Sequence, residues 1–433
     1  MAEQRHSEIY SAKTNDLRFY FLSKSKNVMS ISSENSLKPV NFPPTHRNRF
    51  LFFIVLSCTM SSLCPLTVTV TATADVSLSE IGVTYSPGTT LDHLPPPEQV
   101  ASALQRLKIS SVHLPDSDPS AVRAFSYSNI SLFLTVPNRD IPSIAANRSN
   151  ALAWLHHHVV PFYPRAHISA IAVGSDVLNA KYELSNYLLP AIRNVDIALH
   201  KLGIYRIAVS TTFSFSNVLA TAFPPSSAKF LEPANKLVIK PLLQFLKETN
   251  SSFFVNLYPY HIYKLNPGIP IGFALFQENP FNFRDDFTTG VRYRNLFDTM
   301  VDAVITALTV AGHENIPVVV AETGWPGFAV KAEADANQVY AEMYLRGLIR
   351  HLRSGNGTPL RKGGVAQTYI YELFDRQGNR LRSLQQWGIL YSNLTRKYIN
   401  VDFGSSSRIE VSKHLLWMAL GFHLFVAVLL WDV

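Results

Sequence analysis

Eight short β-rich runs punctuate the chain, at 80–85, 109–114, 130–136, 168–174, 205–210, 253–258, 316–322 and 365–374. Amphipathic stretches separate them, most clearly 97–107, 141–160, 186–202, 237–248, 293–311 and 334–353. Apolar, β-branched strands alternating with helical patterns read as βαβ units, which build a parallel sheet buried on both faces. Eight is the number of strands that closes such a sheet on itself. The expectation is therefore α/β, a single (β/α)8 TIM barrel. Its span of about 320 residues exceeds the ~250 typical of that architecture, so some connections must be long. The segments 212–236 and 263–292, rich in Pro, Ser, Phe and Asn, are the obvious ones.

In a closed barrel the chemistry sits where the strands end. Taken in order, the strand ends present Tyr85; His113 and Asp116; Pro137 and Asn138; Ser175 and Asp176; Thr211 and Thr212; Asn256, Tyr258 and Tyr260; Glu322 and Trp325; and Glu372, Phe374 and Asp375. The seventh is the sharpest, because Val318-Val-Val-Ala-Glu-Thr-Gly-Trp-Pro326 carries a buried run straight into a carboxylate and a tight turn. A Glu in that place also suits the cap of the next helix. Aromatic faces and polar edges together suit a sugar ring, with its C–H faces and equatorial hydroxyls. Glycoside hydrolysis needs two carboxylates, one to protonate the leaving oxygen and one to attack the anomeric carbon, ~5–5.5 Å apart for retention. Asp176 and Glu322, three βα units apart, are the pair; the bland alternative is that Asp176 caps the helix after its strand.

Other chemistries find less support. The net charge of +8 is spread thinly, with no basic block interleaved with aromatics, so no nucleic acid is expected as a partner. No His, Cys and Asp cluster has metal-ligand spacing, and no glycine-rich phosphate loop follows a strand, so neither metal nor cofactor is expected. His156-His-His158 cannot put its members on one helix face and reads as a surface run.

The ends of the chain read as addresses. Residues 1–46 are polar and without period, a disordered extension. Arg47-Asn-Arg49, the apolar 50–56 and the small-residue site Ala72-Thr-Ala74 resemble a secretory signal, with an uncleaved anchor as the alternative. Cys58 and Cys64 both fall inside it, so the domain at 75–403 holds no disulfide and must rely on its core; 47% hydrophobic residues allow that. Sequons at Asn129, Asn147, Asn250, Asn356 and Asn393 agree with secretion. Small residues at Gly404-Ser-Ser-Ser407, a polar spacer and the apolar 415–433 read as a GPI-anchor signal, with a membrane span as the alternative.

Several stretches together resemble plant glycoside hydrolase family 17, the β-1,3-glucanases. They are Ile81-Gly-Val-Thr-Tyr85, Phe254-Val-Asn-Leu-Tyr-Pro-Tyr260, Tyr293-Arg-Asn-Leu-Phe-Asp298, Val319-Val-Ala-Glu-Thr-Gly-Trp-Pro326, Asn356-Gly-Thr-Pro359 and Trp387-Gly388. The resemblance implies endo-hydrolysis of β-1,3-glucan by a retaining mechanism, with Glu322 as nucleophile and Asp176 as acid/base. It implies a groove formed by Tyr85, His113, Ser175, Asn256, Tyr258, Tyr260, Trp325 and Phe374. It also implies a glycoprotein of the cell wall or outer membrane face, a monomer, with a part in carbohydrate metabolism and plant defence. Six positions depart from the family pattern. Val173-Gly-Ser-Asp-Val177 replaces the family's Val-Gly-Asn-Glu-Val, so Ser175 stands for Asn and Asp176 for Glu. His113 stands where an Arg is usual. Arg376, Asn379 or Arg380, and Leu384 occupy the places of Glu, Lys and Glu. Arg376 is expected to favour ionised Glu322. The alternatives are a catalytically impaired protein that binds wall β-1,3-glucan, and a purely structural surface glycoprotein.

Overall fold

The strands are β1 (Glu80–Thr84), β2 (Ser111–Leu114), β3 (Ser131–Val136), β4 (His167–Ser175), β5 (Ala208–Ser214), β6 (Phe253–Asn256), β7 (Val318–Thr323) and β8 (Gln367–Ile370). In a computed structural model of the chain they close into one parallel barrel, each paired with its sequence neighbours and β8 with β1. This is the expected (β/α)8 TIM barrel. The structure describes residues 79–87, 94–180, 182–329, 333–376 and 385–404. The signal segment and, from residue 405 on, the anchor segment read from the sequence lie outside the described residues, as do Asn379, Arg380 and Leu384.

Both faces of the strands are buried, which is why they read as continuous apolar runs. Phe133, Ala170, Ala172, Phe254, Val319, Ala321 and Tyr369 point inward and form their own cluster at the barrel centre. Three rings and several alanines fill a space too narrow for large side chains from every strand. Gly82 on β1 belongs to this arrangement, because a Cβ there would lie 2.5 Å from the Tyr369 ring. The outward faces pack under the principal helices: α1 (Pro97–Arg106), α2 (Pro119–Ala124), α3 (Ile141–Ala146), α4 (Arg148–His158), α5 (Ser185–Lys201), α6 (Lys240–Glu248), α7 (Leu296–Val310) and α8 (Gln338–Ser354).

The structure departs from the sequence reading in places. The single helix read at 141–160 is two, because Asn147 is extended (φ −146°) and caps α4 through its Oδ1 on the Ser149 amide at 2.8 Å. The fifth strand lies later than 205–210, so Thr211 and Thr212 are inside it rather than beyond it. Their hydroxyls are satisfied locally, Thr211 on the Gly174 carbonyl (3.3 Å) and Thr212 on Ser175 Oγ (2.9 Å), so polar Thr serves as buried strand. His158 is not a surface residue: it is half-buried, stacks on Trp154, and its Nδ1 donates to the Ser117 carbonyl at 2.7 Å. The two long connections each hold a small hairpin, Leu219–Thr221 with Lys229–Phe230 and Arg284–Asp286 with Val291–Tyr293. Asp286 ties them together, accepting from the amide and hydroxyl of Ser226, both at 2.8 Å.

Candidate active site

The C-terminal end of β4 is shaped by two left-handed residues, Gly174 (φ +78°) and Asp176 (φ +49°). A Cβ on Gly174 would meet Ile141 Cδ1 at 2.6 Å, so only glycine passes there; Asp is among the few residues with a side chain that tolerate this region. Between them Ser175 is held on both sides by Asn138, whose Nδ2 donates to the Ser175 carbonyl and whose Oδ1 accepts its amide, each at 2.8 Å. The Asp176 amide continues the ladder to Thr212 O at 3.1 Å. The tip is thus rigid, and Asp176 leaves it in a fixed direction.

β6 links this tip to β7. Asn256 lies beside Glu322 across a register shift in the β6–β7 pairing. Its Nδ2 donates to Asp176 Oδ2 at 3.4 Å. Two residues on, the Tyr258 hydroxyl donates to Glu322 Oε2 at 2.5 Å. One strand end therefore holds both carboxylates. Asp176 Oδ1 and Asn256 Oδ1 are buried without a hydrogen-bond partner in the protein.

Burial sets the electrostatics. Glu322 is pushed up to about 7, chiefly by desolvation; Asp176 and Glu372 add to this, while the Tyr258 bond and the Arg376 charge oppose it. The cation acts in the direction expected from the sequence, but burial outweighs it. Asp176 is pushed up to about 6 by desolvation, against its bond from Asn256. Both carboxylates are thus raised, and Glu322 also feels the charge of Asp176.

The other residues singled out from the sequence lie around this centre. Tyr85 is 1% exposed, edge-on to Phe125 and to Phe374, itself 3% exposed. Trp325 is 2% exposed, its indole N–H on the Asp335 carbonyl at 2.8 Å and its ring against Tyr260. Tyr260 is equally enclosed and its hydroxyl donates to Glu333. These four rings form packed walls behind the site. His113 lies lower, inside the barrel, stacked on Phe133 at 4.2 Å with Nε2 2.9 Å from Thr135 Oγ1. Burial, helped by Arg376, lowers it to about 3, so it is a neutral imidazole. The structure thus brings Asp176, Ser175, Asn256, Tyr258 and Glu322 into one cluster, and sets Tyr85, Phe374, Tyr260, Trp325 and His113 around and beneath it.

Sequence reasoning left three neighbours out of the site. Tyr371 and Trp387 set their rings edge-on to Tyr258, at 5.8 and 5.4 Å. Glu372 is 4% exposed and accepts from Arg376 Nε at 2.7 Å. Burial pushes Glu372 up to about 7, against the Arg376 charge. A Glu two residues past the last strand with an Arg four residues on was the available signal. Among the described residues, no group of three or more His, Cys, Asp or Glu is placed to hold a metal ion.

The profile of the glycosyl hydrolases family 17 matches residues 81–403. The chain belongs to this family. Glucan endo-1,3-beta-glucosidase 12 of Arabidopsis thaliana is 35% identical over 337 residues, covering 77% of this chain and 62% of that one. Glucan endo-1,3-beta-glucosidase 2 of the same plant is 38% identical over 324 residues, with coverage of 74% and 63%. The chain therefore spans less than two thirds of these relatives' length. Among solved structures, a β-1,3-glucanase and allergen of Cryptomeria japonica pollen superposes with a TM-score of 0.70 at 33% identity. That match covers 75% of this chain and 99% of the other. A family 17 barrel thus carries Asp176 and Glu322 at the ends of its fourth and seventh strands.

Proposed function

We propose that this barrel hydrolyses internal 1,3-β-D-glucosidic bonds of β-1,3-glucan with retention. The carrying observation is that Asn256 and Tyr258, from one strand end, hold Asp176 and Glu322. In the first step a Glu322 oxygen bonds to the anomeric carbon as the bond to the leaving oxygen breaks, and Asp176 delivers its proton to that oxygen. In the second, water attacks the same carbon, Asp176 takes the water's proton, and Glu322 departs as carboxylate. Tyr258 holds the attacking group in place. The test is reducing-end release from laminarin by the purified protein, with product sizes to show internal cleavage. Turnover no greater than that of Glu322→Gln would reject the reading.

A second reading is a protein that grips glucan and cuts it poorly. The long Asn256 bond to Asp176 favours it, since at 3.4 Å the short Asp side chain stands at the far edge of hydrogen-bonding range. Laminarin binding without hydrolysis would select it.

The proposal extends to location: a monomer, secreted and held by a GPI anchor at the outer membrane face or free in the wall, with a part in plant defence. The patterns at 47–74 and 404–433 support it. So does exposure of all five sequon asparagines; Asn129, Asn250 and Asn356 lie in loops leading into β3, β6 and β8, at the barrel end away from the carboxylates. Release from membranes by a phosphatidylinositol-specific phospholipase, and a mass drop on deglycosylation, are the expected results.

A further inference from the structure

Glu372 and Arg376 form a unit that the two-carboxylate reaction does not use. Glu372 lies two residues beyond β8 and its side chain is 5% exposed, while the Arg376 side chain is 33% exposed. The pair therefore runs from the rim into the site, with Nε and Oε2 2.7 Å apart. The Arg376 guanidinium also lies over the Tyr371 ring, 5.1 Å from its centroid. Tyr371 sets its ring edge-on to Tyr258, and Tyr258 holds Glu322. A continuous set of contacts thus joins the cation to the nucleophile side of the cleft.

The charges facing Glu322 define what the cation does there. From β4 comes Asp176 and from β6 the Tyr258 phenol; from the chain beyond β8 come Glu372 and Arg376. Three carboxylates converge in a site that excludes much of the solvent, where like charges repel strongly. Lys397, the other cation near Glu372, is bound to Asp375. We propose that Arg376 is a positioning residue for the hydrolytic site: anchored by Glu372 and laid across Tyr371, it sets a fixed positive charge on the nucleophile side of the cleft and, through Tyr371, keeps Tyr258 against Glu322. The role rests on the glucanase reading, but it can be read without turnover. If the pair were only a clasp for the last loop, its loss would loosen the fold and leave Glu322 unchanged.

The full chain is labelled with 13C at glutamate side-chain carboxyls, and the Glu322 resonance is identified by its loss in Glu322→Gln. Its titration midpoint is then compared in the unmutated protein, Arg376→Gln and Arg376→Lys. In Arg376→Gln the midpoint rises by about one pH unit, the low end for loss of a close opposite charge. The acidic limb of laminarin hydrolysis moves to higher pH with it, and kcat falls more than KM changes. Arg376→Lys, which keeps a charge but not the planar fork, returns most of the midpoint and less of the rate. A lowered melting temperature with an unmoved midpoint in Arg376→Gln would overturn the proposal. If Arg376→Gln fails to fold, Arg376→Met serves in its place: it keeps the stem beside Tyr371 without the charge, the Glu322 midpoint rises by a similar amount, and no shift there overturns the proposal equally. An unmutated protein without hydrolysis defeats the glucanase reading, while the midpoint still decides the role of Arg376.

Discussion

Asp176 shows how one methylene decides between cutting and holding. Its backbone is locked in the left-handed region by the Asn138–Ser175 bonds and the Thr212 ladder, so the side chain cannot advance by moving the main chain. A Glu in its place reaches about 1.5 Å further. An error of ~1 Å in a catalytic group costs up to ~100-fold in rate. Asp176→Glu combined with Ser175→Asn is therefore expected to raise kcat/KM on laminarin by about tenfold or more. Initial rates check this; an unchanged or lower rate means that the short acid is not the limit. The identities at these positions, and their departure from the family pattern, were plain in the sequence. The upward titration of Asp176 and Glu322 was not, because it comes from desolvation by residues far away along the chain.

At the scale of elements, the tip of β4 depends on a neighbouring loop. Asn138, just beyond β3, satisfies both the amide and the carbonyl of Ser175. Its truncation leaves two backbone groups unpaired beside the acid. Asn138→Ala is expected to lose ~1–3 kcal/mol in denaturant unfolding. Because Asp176 rides on that tip, kcat is expected to fall by up to ~100-fold. Stability lost with kcat intact would show that the tip keeps its shape without the clamp. Pro137-Asn138 was legible as a strand end, but its partner was not, since Ser175 lies 37 residues away. The late start of β5 escaped for a related reason. Thr211 and Thr212 look like a polar turn until Gly174 and Ser175 are there to receive their hydroxyls.

At the scale of the whole molecule, the barrel keeps acidic groups buried at one end, and this makes its stability depend on pH. Glu322 is raised to about 7, chiefly by burial. A carboxyl raised in this way binds its proton more tightly folded than unfolded, so its favourable contribution is complete below the unfolded value, near 4, and is lost as the pH climbs through about 7. Glu322→Gln removes that dependence. Calorimetry is expected to show the variant melting several degrees above the unmutated protein at pH 8, with the two close together at pH 4; ~1.4 kcal/mol per pH unit of displacement sets the scale. A variant no more stable at pH 8 would mean that Glu322 carries no such burden. The neutral His113 beneath the site acts in the other sense, since a lowered imidazole favours the fold only as the pH rises toward its ordinary value. Comparing each variant with the unmutated protein separates the two.

The alternation of eight β-rich runs with helical stretches determined the barrel, and the run ending in Glu322 determined where one carboxylate would stand. Both are written locally, because side-chain period and strand ends depend on near neighbours in the chain. Only the tertiary structure decided that Tyr85, Tyr260 and Trp325 pack as walls, and that Asn256 and Tyr258 serve both acids. The same holds for Glu372, which meets Arg376 inside the mouth. Burial, and the pairing of buried charges, arise from segments that meet only when the ring closes.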